Sequence, residues 1–262
     1  MLIDHHVHLG VDLNKTNFSL TLEELLKKML ALGIDKSVVF SCPNITPRLV
    51  NPYAIENEQI YLAFLQEPDK VIPFMFVHPF RDSLDYLNEN QARFKGFKVY
   101  SHARGMEYSY ADLLSSPQLK FLASTGKPML FHTSKISGGR IGEAMSFIRG
   151  VTNPLAFAHS GRLFHKDLVA AARYSHVFID IAPLATNLTK PDLFMAPEQE
   201  RQQGLTLNHS SVISYLNSLF SERVIWGSDT PWSDRIISQG YAAEVEVLKE
   251  LRTQGLSNNG FL

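Results

Sequence analysis

Cysteine is almost missing: Cys42 is the single one in 262 residues. An internal disulfide is excluded, and a reducing compartment such as the cytoplasm is expected. Charge of one sign is also lacking. Lysine and arginine number 25 against 26 aspartate and glutamate, a formal net charge of -1. That balance gives no electrostatic reason to expect nucleic acid or an anionic membrane as partner. Long apolar runs are absent too; Val71-Ile72-Pro73-Phe74-Met75-Phe76-Val77 is far too short to cross a bilayer. No secretory leader is expected, because histidines arrive where its apolar stretch should be. No internal repeat, low-complexity tract or obvious linker interrupts the chain.

What is present is a large apolar fraction, 45%, with 11% aromatic residues. It suffices for one large domain over residues 1–262. Short apolar strands begin at Leu2, Ser37, Val71, Gly96, Met129, Leu155, Val177 and Val224. Helical patterns lie between them, the clearest at Leu22–Leu30, where Thr21 and Glu24 form a capping box. Others lie near Tyr53–Gln66, Pro117–Ser124, Ile141–Arg149, Lys166–Tyr174, Ser210–Phe220 and Ala242–Arg252, with a weaker one at Ser83–Gln91. Eight strand–helix units in about 250 residues predict an α/β fold, a single (β/α)8 TIM barrel of parallel strands. An open doubly wound sheet is the runner-up, but no G-x-G-x-x-G follows the first strand. Turns from helix to strand are tight, and loops from strand to helix are long. The functional end is thus the carboxyl end of the strands.

The first strand carries Asp4-His5-His6-Val7-His8. Regular alternation would put Asp4, His6 and His8 on one side and His5 on the other, toward the helix layer. Two imidazoles so spaced can bite one metal ion. Other strands also end in polar residues: Lys98, His132, His159 and Asp229. In a barrel these ends converge near the axis.

Asp-x-His-x-His, Gly96-Phe97-Lys98, His132, His159-Ser160-Gly161 and Gly227-Ser228-Asp229-Thr230-Pro231 occur in that order. Together they resemble the amidohydrolase superfamily, in its amidohydrolase-related branch with the aminocarboxymuconate-semialdehyde decarboxylase-like enzymes. The resemblance implies one divalent metal, zinc first, with manganese or a second ion as alternatives. Its ligands would be His6, His8, His132 and Asp229, and the catalytic groups Asp229 and His159. Lys98, Tyr100, His102 and Arg162 are candidates for substrate binding or, for Lys98, for bridging a second ion. Arg104 and Arg140 also follow strands, so an anionic substrate is expected.

The implied reaction is hydrolysis of an amide, lactone or ester in a small carboxylated or cyclic substrate by metal-activated water. The alternative is non-oxidative decarboxylation or hydration of a small carboxylic acid. A phosphoesterase and a metal-free binding protein rank lower. The segment 186–209 reads as a lid or an interface, compatible with a homodimer. The tail departs from the family's Asn-Ala-x-x-Leu type ending, which leaves the C-terminal packing open.

Overall fold

Nine strands follow one another around a single curled sheet. They are β1 (Ile3–Val11), β2 (Ser19–Leu20), β3 (Lys36–Ser41), β4 (Val71–Val77), β5 (Gly96–Val99), β6 (Met129–Phe131), β7 (Leu155–Phe157), β8 (Val177–Asp180) and β9 (Val224–Ile225). The structure, a computed structural model, describes residues 1–11, 19–43, 50–100, 108–254 and 261–262. The sheet order is β2-β1-β3-β4-β5-β6-β7-β8-β9. Only β2, which was not expected, runs antiparallel, against β1. Every other neighbouring pair is parallel. The order never reverses, so the switch point of a doubly wound sheet is absent among these strands. The first strand also bonds to the segment after the last: His5 N to Trp226 O (3.1 Å), Asp229 N to His6 O (2.8 Å) and His8 N to Thr230 O (2.8 Å).

Helices fill the crossovers because their ends are specified locally. Helix Leu22–Leu32 starts with the expected capping box, Thr21 with Glu24, and stops at Gly33, whose φ of 70° suits glycine. Helix Pro117–Ser124 has proline in its first turn and Ser116 capping the Leu119 N–H. The parallel strands bury both faces, as crossover helices demand. Val39, Met75, Phe97, Phe131, Phe157 and Ile179 face the helices in the main core. Val38, Phe40, Phe74, Leu130, Phe178 and Ile225 form a separate inner cluster. Phe261 joins that inner cluster, so the tail ends packed beneath the sheet's centre. No helix among the described residues is long and apolar enough to cross a membrane.

Candidate functional site

β1 has one residue more than its partner where the histidines sit. Asp4 pairs with Ser37 and Val7 with Val39, three steps against two. This bulge breaks the alternation of faces. The expected grouping of Asp4 with His6 and His8, with His5 turned to the helices, is therefore corrected. His5 faces the inner cluster, its ring 6.2 Å from Phe261, which packs on Phe74 and Phe178. Asp4 lies beside Tyr241 of the last helix, and burial pushes its carboxyl up to about 7. Its Oδ1 accepts from the His6 N–H (3.1 Å) and the Ser228 N–H (2.9 Å), tying the two ends of the sheet together. His6 and His8 both come to rest against Phe40.

Each of these two rings is held from behind. His6 Nδ1 lies 2.6 Å from Asp180 Oδ2, and both side chains are fully buried. His8 Nδ1 lies 2.8 Å from Ser41 O. A nitrogen facing such acceptors carries the proton, so both Nε2 atoms keep a lone pair. Both stand 3.4 Å from Asp229 Oδ1. Gly227 permits this approach: a Cβ there would lie 2.4 Å from His6 Cβ and 2.8 Å from its backbone nitrogen.

Beyond β7 the backbone turns the wrong way round. His159, Ser160, Gly161, Arg162 and Leu163 all have φ between 55° and 60°. A left-handed turn costs roughly 1 kcal/mol or more for each residue with a Cβ. Its hydrogen bonds run from Gly161 N to Ala158 O (3.2 Å) and from Phe164 N to Gly161 O (3.4 Å). With about three residues per turn, positions three apart superpose. His159 and Arg162 thus reach the same cavity. His159 Nδ1 lies 2.7 Å from Ala182 O and 3.9 Å from Asp229 Oδ2, and its Nε2 lies 2.9 Å from His132 Nδ1.

His6, His159 and Asp229 present ligand atoms that all lie within 4.8 Å of one another. His8 adjoins the cluster at Asp229 and His132 at His159. Burial drives the His6, His132 and His159 pKa values well below the ordinary imidazole value, so these rings are neutral, as ligation requires. Burial opposes ionisation of Asp229, but the His6 and His8 rings and Lys98 outweigh it and hold its pKa low. Neutral imidazoles with one carboxylate fit a divalent cation of zinc type.

A cavity of about 250 Å³ opens on the cluster. His8, Tyr100, His132, Ser134, His159, Arg162, Asn187 and Asp229 supply its polar lining, and Pro183, Phe194, Trp232 and Ile236 its apolar wall. Lys98 is not among these residues. It is fully buried, its Nζ 3.1 Å from His6 Nε2 and 4.5 Å from the Phe40 ring centroid. Burial pushes Lys98 down to about 7, with Asp229 and Asp180 opposing.

An amidohydrolase family model matches residues 52–259. The chain belongs to the amidohydrolase family. Solved structures agree in fold. A Burkholderia multivorans amidohydrolase with bound zinc has a TM-score of 0.67 at 15% identity, covering 98% of this chain and 93% of its own. A Pseudomonas putida protein assigned as a 2-pyrone-4,6-dicarboxylic acid hydrolase gives 0.68 at 15%, covering 97% and 90%. A 5-carboxyvanillate decarboxylase from Sphingomonas paucimobilis gives 0.63 at 13%, covering 95% and 93%. No curated protein matches the chain by sequence.

Of the residues expected at the site of this amidohydrolase, His6, His8, His132, His159 and Asp229 come together, and Tyr100 and Arg162 join them in the cavity. His102 and Arg104 lie outside the described residues. Arg140 is committed elsewhere, to Asp167 (3.2 Å) and Glu200 (3.3 Å). Asp180 was not singled out from the sequence. Its signal was there: a carboxylate ending a strand on the same face as Phe178 of the inner cluster. The segment 186–209 is partly helical and sends Asn187 and Phe194 to the cavity, while Glu244 accepts from Ala185 N, Thr186 N and Thr186 Oγ1 at 2.9–3.1 Å.

Proposed function

We propose that the chain is a metal-dependent hydrolase of a small carboxylated or cyclic substrate, built on a closed (β/α)8 barrel. The bonds from β1 to the segment after β9 support closure. The observation that carries the functional reading is the convergence of the His6 and His8 lone pairs on Asp229, each ring fixed from behind. His6, His8, His132 and Asp229 would hold one divalent ion, zinc first. When bound, such an ion supplies Lewis acidity and brings the pKa of a water down toward about 7.

The chain's own residues do the remaining work. Asp229 accepts the proton of the attacking water as its oxygen meets the substrate carbonyl carbon. His159, steadied by Ala182 O and adjoining His132 and Asp229, is neutral, so the proton it delivers to the leaving oxygen or nitrogen is the one Asp229 takes from the water, passed across the 3.9 Å between them. Phe194 and Trp232 keep bulk water out, and the segment 186–209 covers the site.

Decarboxylation is the second reading. An arginine in the cavity favours it by offering a place for a carboxylate, and the decarboxylase fold likeness is in line with it. Assays of lactones and amides against unsaturated and aromatic acids separate the two. Cleavage of a lactone or amide supports hydrolysis; carbon dioxide release without such cleavage overturns it.

A further inference from the structure

Arg162 is a half-buried charge on the cavity wall that the hydrolytic mechanism above leaves unused. Arg93 pairs with Glu58 and Arg140 with Asp167 and Glu200, while Arg223 spends its donors on the carbonyls of Ala172, Tyr174 and Val177. Among the described residues, Arg162 bonds only to backbone carbonyls, Nε to Thr133 O at 2.8 Å and one Nη to Phe194 O at 3.4 Å. Asp229 acts on it through space without forming an ion pair. A guanidinium has five N–H donors in a planar fork, so most of them remain for a ligand. Drawing such a charge even partly out of water without a counter-ion carries a cost, and an anion arriving with the ligand offsets it.

We propose that Arg162 is the specificity-determining residue of this site, gripping a carboxylate on the substrate, and that the left-handed turn His159–Leu163 is what sets that grip beside His159. The proposal rests on the small-substrate reading above and narrows it. The ligand is a small carboxylate whose remaining body is apolar and compact, since Phe194, Trp232, Pro183 and Ile236 form the opposing wall and the cavity is about 250 Å³. That is below the range of roughly 300–1,000 Å³ usual for drug-sized ligands.

Gly161 is the positioning residue. It sits between His159 and Arg162 at φ 55°, and a Cβ there would lie 2.6 Å from Ile141 Cδ1 and 2.9 Å from Leu168 Cδ2. A side chain would force the turn outward and move both functional groups together.

The test compares benzoate with benzamide, its neutral isostere, by calorimetry on metal-loaded protein. The wild type is expected to prefer benzoate by about tenfold or more, the usual size of a hydrogen bond to a charged group. Bound metal also attracts carboxylates, so the variants decide. Arg162→Met should abolish most of the preference, and Arg162→Lys should restore part of it. Gly161→Ala should lose it while a melting curve shows the chain still folded. An undiminished preference in Arg162→Met overturns the proposal, as does equal binding of the two probes by the wild type. Metal uptake is measured on the same samples. Absence of uptake contradicts the hydrolase reading whatever the probes do, so the two ideas fail separately.

Discussion

Replacing Asp180 by asparagine perturbs the site without replacing any proposed ligand. Both oxygens of Asp180 are in use: Oδ2 faces His6 Nδ1 at 2.6 Å and Oδ1 accepts from Ala182 N at 2.9 Å. Asparagine has one acceptor. Whichever way the amide is turned, an NH2 group meets either the Ala182 N–H or the His6 Nδ1–H, and one contact becomes donor against donor. The His6 ring then loses the partner that orients Nε2 toward Asp229. Loss of such a supporting contact typically weakens metal binding by about 10–100-fold, or roughly 1.4–2.7 kcal/mol. His8 offers no equivalent experiment, because its support is the backbone oxygen of Ser41. The assay is a zinc titration in competition with a chelating dye, with melting temperature recorded alongside. Zinc affinity unchanged within about twofold, in a protein that still folds, would refute the reasoning.

Further outcomes follow from individual contacts. Gly227→Ala should cost about 1–3 kcal/mol in urea unfolding, because the new methyl overlaps His6, and zinc affinity should fall with it. His132→Asn should empty the site on dialysis while His159→Asn keeps its ion and loses turnover; elemental analysis showing the reverse would make His159 the ligand. Burial pushes the Glu244 carboxyl up to about 8 against three donors. Its folded pKa exceeds the unfolded value of 4.5, so its contribution is full below that value and is lost as pH rises toward 8. The Glu244 contribution should therefore shrink by up to about 5 kcal/mol across that window, so Glu244→Gln should change the slope of stability against pH; equal slopes in wild type and variant would count against it. Phe261→Ala should destabilise by about 3–5 kcal/mol in chemical denaturation, since the ring is lodged against Phe74, Phe178 and His5.

Strand positions were legible because period and punctuation agreed. The eight expected starts fall within a residue of those found, since buried parallel strands are short apolar runs between glycine, proline and polar turns. The ligand-type residues were legible because each ends such a run. What escaped was local geometry that composition does not encode. The bulge in β1 depends on pairing with β3, so strict alternation misplaced Asp4 and His5. The left-handed run from His159 contradicts the preference of every residue in it except glycine, and its local hydrogen bonds and tertiary contacts together offset that cost. Asp180 was overlooked because a carboxylate that supports a ligand looks, in sequence, like any strand-ending acid. Lys98, expected to bind substrate or bridge a second ion, lies on the inner face with its Nζ 3.1 Å from His6 Nε2 and outside the cavity lining.

Anomalous diffraction from crystals grown with zinc tests the account most directly. The account predicts one strong peak per chain, touching Nε2 of His6 and His8 and a carboxylate oxygen of Asp229, with His132 completing the set. A map with no peak there, or with zinc only at surface residues, would contradict it.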